Sequence, residues 1–156
     1  MKKFAVLALV LLGGFVLADD KKPGISVILS DFKLKGATGT ESLLGHNSDE
    51  GKLFFYVNGT ATATVKIPDD GEYDIVVKAS GDSALNEKAK FKLAVDGDPV
   101  GKETTLTTDD AKEYTLTAKL KKGDRNVSIE YTNDVYKEGS YDRNFYVHGV
   151  SVKRKP

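Results

Sequence analysis

The chain has 156 residues, no cysteine, and 23 basic residues against 23 acidic ones. That balance leaves no basic surplus with which to hold nucleic acid or an anionic membrane by charge. Without cysteine, disulfides and thiol nucleophiles are excluded, and stability has to come from a packed core, with or without a bound ion.

The chain opens with a leader pattern over residues 1–18. Lys2 and Lys3 precede an apolar run from Phe4 to Leu17, and Val16 and Ala18 place small residues ahead of a cleavage point at Asp19. The run is shorter than the roughly 20 residues that span a bilayer, so it predicts an export signal rather than a retained anchor. The expected location is secreted, periplasmic or cell-surface, with no membrane contact after cleavage. Residues 19–48 read as an N-terminal strand and linker segment. Within it, Ile25–Leu29 suits an edge strand, and the Gly- and Ser-rich stretch 36–48 a linker or long loop. The main domain is expected over 49–156.

From Leu53 onward the apolar pattern has a period of two. Thr60–Ile67 alternates and stops at Pro68-Asp-Asp-Gly71, a turn signal. Glu72–Ala79 then puts Tyr73, Ile75, Val77 and Ala79 on one face. Lys90–Val95 does so with Phe91, Leu93 and Val95, before Asp96-Gly97. Glu113–Leu120 and Arg125–Thr132 follow, and Asn144–Lys153 is the last strand. Asp82–Lys90 is the one helical candidate, and Asn86 with the nearby glycines makes a loop the better reading. Short strands, each with one apolar face, predict an all-β, single-domain antiparallel sandwich of jelly-roll type.

Catalytic chemistry finds little support. His46 and His148 are the only histidines, neither beside a nucleophile signature, and no Gly-x-Ser-x-Gly elbow occurs. A strand histidine such as His148 is ordinarily a surface or packing residue. Carboxylate pairs are too abundant among 23 acidic residues to mark a glycosidase. The chain is therefore not expected to be an enzyme, and a small hydrolase is the third reading.

The segment Tyr131–Phe145 carries Asn133, Asp134, Glu138, Asp142 and Asn144 with Tyr136 and Tyr141 among them. Calcium takes 6–8 oxygens from carboxylates, amides, carbonyls and water, and such a segment can wrap it. The same residue types also suit a solvated loop whose Asp and Asn favour turns, and the spacing matches no EF-hand.

Thr132-Asn-Asp-Val-Tyr136 followed by Tyr141-Asp-Arg-Asn-Phe-Tyr-Val147 resembles the C-terminal signature of the calcium-dependent xylan-binding carbohydrate-binding modules, families 36 and 60. Gly71-Glu-Tyr73, Ala79-Ser-Gly81 and Val95-Asp-Gly97 fit the same pattern. The resemblance implies calcium held by Asp134, Asp142 and the Tyr141 carbonyl, with Asn144 supporting the site. It implies a sugar binding against Asp134 and Asp142. The chain has no tryptophan, so the ring expected beside the sugar falls to Tyr136 or Tyr141. The expected function is a secreted, non-catalytic, calcium-dependent module for a xylan-like polysaccharide or oligosaccharide. The alternative is a structural or protein-interaction sandwich with a structural calcium or no ion.

Overall fold

Strand formation follows the two-residue alternation closely, because one face of each long strand is apolar and closes against the other sheet. The computed structural model describes residues 24–156, so the leader expected over 1–18 lies outside the described residues. Four short strands come first: β1 (Ile25–Val27), β2 (Lys33–Gly36), β3 (Leu44–Asn47) and β4 (Lys52–Phe55). The long strands β5 (Gly59–Ile67) and β6 (Gly71–Gly81) follow, then β7 (Lys90–Val95) and the two-residue β8 (Asp98–Pro99) and β9 (Thr104–Thr105). Next come β10 (Lys112–Leu120), β11 (Gly123–Tyr131), β12 (Val135–Lys137), β13 (Tyr141–Arg143) and β14 (Phe145–Arg154).

The first sheet runs β10-β6-β14-β4-β3, with β1 also pairing β14; the second runs β2-β5-β11-β7-β8, with β9 beside β7. All of these pairings are antiparallel. This is the jelly-roll-like sandwich that the alternation implies. All six expected runs match strands β5, β6, β7, β10, β11 and β14 to within about two residues, the ordinary uncertainty of element ends.

The N-terminal segment differs from its sequence reading. Residues 25–47 supply strands to both sheets, β1 against β14, β2 against β5 and β3 against β4. The stretch 36–48, expected as a linker or loop, holds a 3₁₀ turn at Glu41–Leu43 and then β3. Leu44 supplies the reason: it is buried beside Phe55, its register partner. One well-placed apolar residue was enough to dock a strand whose composition resembles a loop.

Between the sheets, Phe145 is the hub of an aromatic cluster. Its ring lies 5.5 Å from Phe91 and 5.5 Å from Tyr131, both stacked, and 5.7 Å from Phe55. All four are fully buried. The cluster therefore ties β4 and β14 of one sheet to β7 and β11 of the other, just beneath the segment 131–145. Gly81 matters here, since a Cβ there would come within 2.6 Å of the Asn144 carbonyl oxygen. Its absence lets β6 and β14 close at that end.

Val77 is fully buried at the middle of β6, opposite Tyr114 on one side and Val150 on the other. Val77→Asp places an unpaired carboxylate there at a cost of several kcal/mol, on the order of a small domain's whole stability. The expected result is a variant without a cooperative thermal transition, read by circular dichroism.

Candidate functional site

The segment expected as a loop between the last two strands folds back on itself as the hairpin β12–β13. Its register pairs Val135 with Arg143, Tyr136 with Asp142, and Lys137 with Tyr141. Alternation along the two arms then sorts the side chains. Continuing the register one step places Asp134 across from Asn144, so Asp134, Tyr136, Asp142 and Asn144 share one face. Val135, Tyr141 and Arg143 share the other. The structure thus brings together Asp134, Asp142 and Asn144 from the expected site. It leaves the Tyr141 ring off their face, because Tyr141 adjoins Asp142 and neighbouring strand residues point oppositely. Tyr136 is on the correct face and well exposed, at 64%.

Arg143 fixes this hairpin from beneath. Its side chain is buried, and its guanidinium donates to the carbonyl oxygens of Ala84, Glu87 and Asn133. The loop 82–89, correctly read as non-helical, makes a two-residue turn at Leu85-Asn86, both at positive φ, with Ala84 and Glu87 exchanging backbone hydrogen bonds. Arg143 closes that turn and the start of the hairpin onto one another. Asn133, a potential calcium oxygen by residue type, is spent elsewhere. Its Oδ1 accepts from the Lys90 N–H at 2.7 Å, and its Nδ2 donates to the Lys88 carbonyl.

Above Arg143 lies a group of oxygens. Asn144 Nδ2 donates to Asp82 Oδ2 at 2.9 Å and to Asp142 Oδ2 at 3.1 Å. Two carboxylates around the NH₂ end fix the amide's orientation, since a carbonyl oxygen in that position would face only acceptors. Asn144 Oδ1 is then buried with no hydrogen-bond partner, and so is Asp134 Oδ1. Burial, reinforced by the Asp142 charge, pushes the Asp134 carboxyl above its usual range, with Arg143 opposing the rise. Unpartnered buried oxygens beside a second carboxylate lack a cation or a proton.

A hard divalent cation fits that deficit. Among the described residues no three His, Cys, Asp or Glu side chains converge as a metal cluster. Two carboxylates, an amide oxygen, backbone carbonyls and water would have to make up the shell, a donor set that suits calcium and disfavours zinc. Neither histidine joins it. His148 sits at a bulge in β14, with Nε2 2.7 Å from Ser80 Oγ. Burial and the charges of Lys52 and Lys78 hold its pKa down.

Two participants escaped the sequence reading. Asp82 orients Asn144 and also accepts from the Tyr146 hydroxyl at 3.1 Å. Asn58 Oδ1 accepts from the Asp134 N–H at 2.8 Å. Each lies more than 60 residues from its partner, so no local spacing could have revealed the link. The only sequence signal was Asp82 at the end of a strong strand.

Comparison with curated proteins finds no match. A family profile described as a Ca-dependent, xylan-binding carbohydrate-binding module (CBM60) matches residues 74–155. Solved structures share the fold at low identity. The CBM36-1 domain of a multidomain xylanase from the hindgut metagenome of Trinervitermes trinervoides superposes with a TM-score of 0.63 at 14% identity, over 86% of this chain and 98% of that one. A CBM36 in complex with calcium and xylotriose gives 0.54 at 17% identity, over 84% and 99%. A GH26-CBM35 β-(1,4)-mannanase from Podospora anserina gives 0.58 at 12% identity, over 85% of this chain, which spans 28% of that enzyme's length.

Removing the Arg143 guanidinium deletes three hydrogen bonds: the Ala84 and Glu87 carbonyls keep each other's N–H groups, whereas the Asn133 carbonyl loses its side-chain donor. Arg143→Ala is expected to cost about 3 kcal/mol, seen as a lower urea midpoint. Its 3.8 Å approach to the exposed Glu87 carboxylate adds little, so Glu87→Gln should leave the midpoint nearly unchanged.

Proposed function

The chain belongs to the calcium-dependent, xylan-binding carbohydrate-binding modules of family 60, and from that premise we propose that it is an exported, non-catalytic module that captures a xylan-like glycan through a calcium ion. The observation that carries the reading is the pair of buried, unpartnered oxygens, Asp134 Oδ1 and Asn144 Oδ1, beside the exposed Asp142 carboxylate. In this reading Asp134 and Asp142 supply the charged ligands, Asn144 an amide oxygen, and the Tyr141 backbone a carbonyl. Calcium, when bound, supplies open coordination positions that two adjacent sugar hydroxyls can fill. Asp82 holds the Asn144 amide by its NH₂ end, which leaves the amide oxygen free of hydrogen bonds for the cation. Asn58 fixes the Asp134 backbone, and Arg143 beneath offsets part of the repulsion between the carboxylates. Tyr136, exposed on the same face, offers a ring to the bound sugar.

The non-catalytic reading is supported by the family and by solved neighbours that are binding modules on their own; the Ser80–His148 contact lies at the β14 bulge, on the opposite side of Tyr146 from Asn144 along the strand. Export is supported by the leader pattern of residues 1–18. The rival reading, a structural calcium or no ion in an interaction sandwich, shares the same oxygens and differs in leaving no position for a sugar.

Calcium at 100 times its dissociation constant should stabilise the fold by about 2.7 kcal/mol, and a xylo-oligosaccharide should add to that only with calcium present. Calcium stabilisation without any sugar increment, in thermal melts, would favour the rival. Asp142→Ala should weaken calcium binding at least tenfold in calorimetric titration, with the melting temperature of the calcium-free protein retained, since Asp142 is exposed and its loss removes a like charge from Asp134. An unchanged titration would remove Asp142 from the ligand set.

A further inference from the structure

The outer face of the first sheet carries three aromatic rings, of which only Tyr146 touches the oxygen site, through its hydroxyl on Asp82. Phe54 and Tyr146 lie side by side across β4 and β14, and Tyr56 follows just beyond β4. Tyr56 packs 5.0 Å from Phe54 and 6.3 Å from Tyr146, edge to face. Gly45 on β3 makes room for the group, since a Cβ there would meet the Phe54 ring at 2.8 Å. Tyr56 is 43% exposed, a large aromatic left open on a sheet face.

Two separate routes tie this ring to the cation position. Along the chain, Tyr56 is two residues from Asn58, whose side chain holds the Asp134 backbone. Across the sheet, Tyr56 rests on Tyr146, whose hydroxyl donates to Asp82, the residue that orients Asn144. The Tyr56 backbone is itself fixed by its N–H donating to the Leu43 carbonyl at 2.8 Å. Asn144 and Tyr146 are two residues apart on one strand face, about 7 Å, so oxygens and rings form one continuous surface.

We propose that Tyr56 is the stacking floor of a second sugar subsite, so that a neutral glycan chain runs from the cation position across the outer face of the first sheet. The inference rests on the calcium-and-sugar reading above and extends it from one vicinal diol to a chain segment. A pyranose ring offers a face of C–H bonds that suits the negative face of an aromatic ring, and its rim of hydroxyls suits polar neighbours. Those neighbours are present. The Lys52 ammonium lies 4.3 Å from the Tyr146 ring centre, and Ser80 is opposite Tyr146 on β6. Lys52 is neutralised by Glu50 at 2.6 Å, which leaves the patch without a demand for an acidic ligand.

The test is calorimetry on the full chain with calcium alone, then with xylo-oligosaccharides of increasing length at saturating calcium, for the unaltered protein, Tyr56→Ala and Tyr56→Phe. Tyr56→Ala should titrate calcium and melt as the unaltered protein does. It should lose about tenfold in affinity for the longer oligosaccharides, the scale of burying one ring face, and most of the gain with chain length. Tyr56→Phe keeps the ring and should keep the affinity. Unaltered binding by Tyr56→Ala at every length overturns the subsite while leaving the calcium site standing. Absence of glycan binding by the unaltered protein with calcium overturns both. Self-association of the unaltered protein that Tyr56→Ala abolishes would assign the face to a second copy and overturn the subsite too.

Discussion

The buried guanidinium of Arg143 is the constraint on which the functional end of this molecule depends. Two segments far apart in sequence offer it three carbonyl oxygens, from the turn at Ala84 and Glu87 and from Asn133 at the mouth of the hairpin. None of these carbonyls needs a charged partner for its own sake. Together they give an otherwise irregular stretch of backbone one geometry, because a planar group with fixed donor directions accepts few arrangements. The same positive charge lies under Asp134 and Asp142 and reduces the cost of holding two carboxylates together.

That cost is what gives the site its chemistry. Asn144 bonds to Asp82 and Asp142 through its NH₂ end, and its carbonyl oxygen is left over beside the unpartnered oxygen of Asp134. Buried polar atoms are ordinarily paired, and these two acceptors are exceptions. The family to which the chain belongs is calcium-dependent, and the arrangement accords with that dependence without requiring a preformed cage of three carboxylates.

Core and site are two faces of the same few residues. Phe145 points inward to stack on Phe91 and Tyr131, while its neighbours Asn144 and Tyr146 serve the outer surface. Tyr131 joins the two layers, since its hydroxyl donates to the Arg143 carbonyl from within the core. Rigidity at the start of β14 therefore comes from aromatic packing below, and polarity from the alternating positions above. The proposed site therefore needs no deep cavity, because the oxygens and rings assigned to it lie on a stiff sheet.

The sequence by itself determined the sandwich. Alternation over 60–67, 72–79, 90–95 and 125–132 leaves each segment only one way to hide its apolar side, whereas the order of strands was not written in the turns, since the one at 68–71 joins β5 and β6 of different sheets. It also held the carboxylates Asp134 and Asp142 in a recognisable motif. Tertiary structure alone decided the rest. It turned the expected loop 131–145 into a hairpin, and strand alternation there moved the Tyr141 ring off the carboxylate face. It made a strand of 44–47 through one buried leucine, brought Asp82 to Asn144 and Asn58 to Asp134, and gathered Tyr56 with Tyr146. The physical reason is range. A period of two is written in neighbouring residues, whereas these partners meet only after separate strands have taken their places in the sheets.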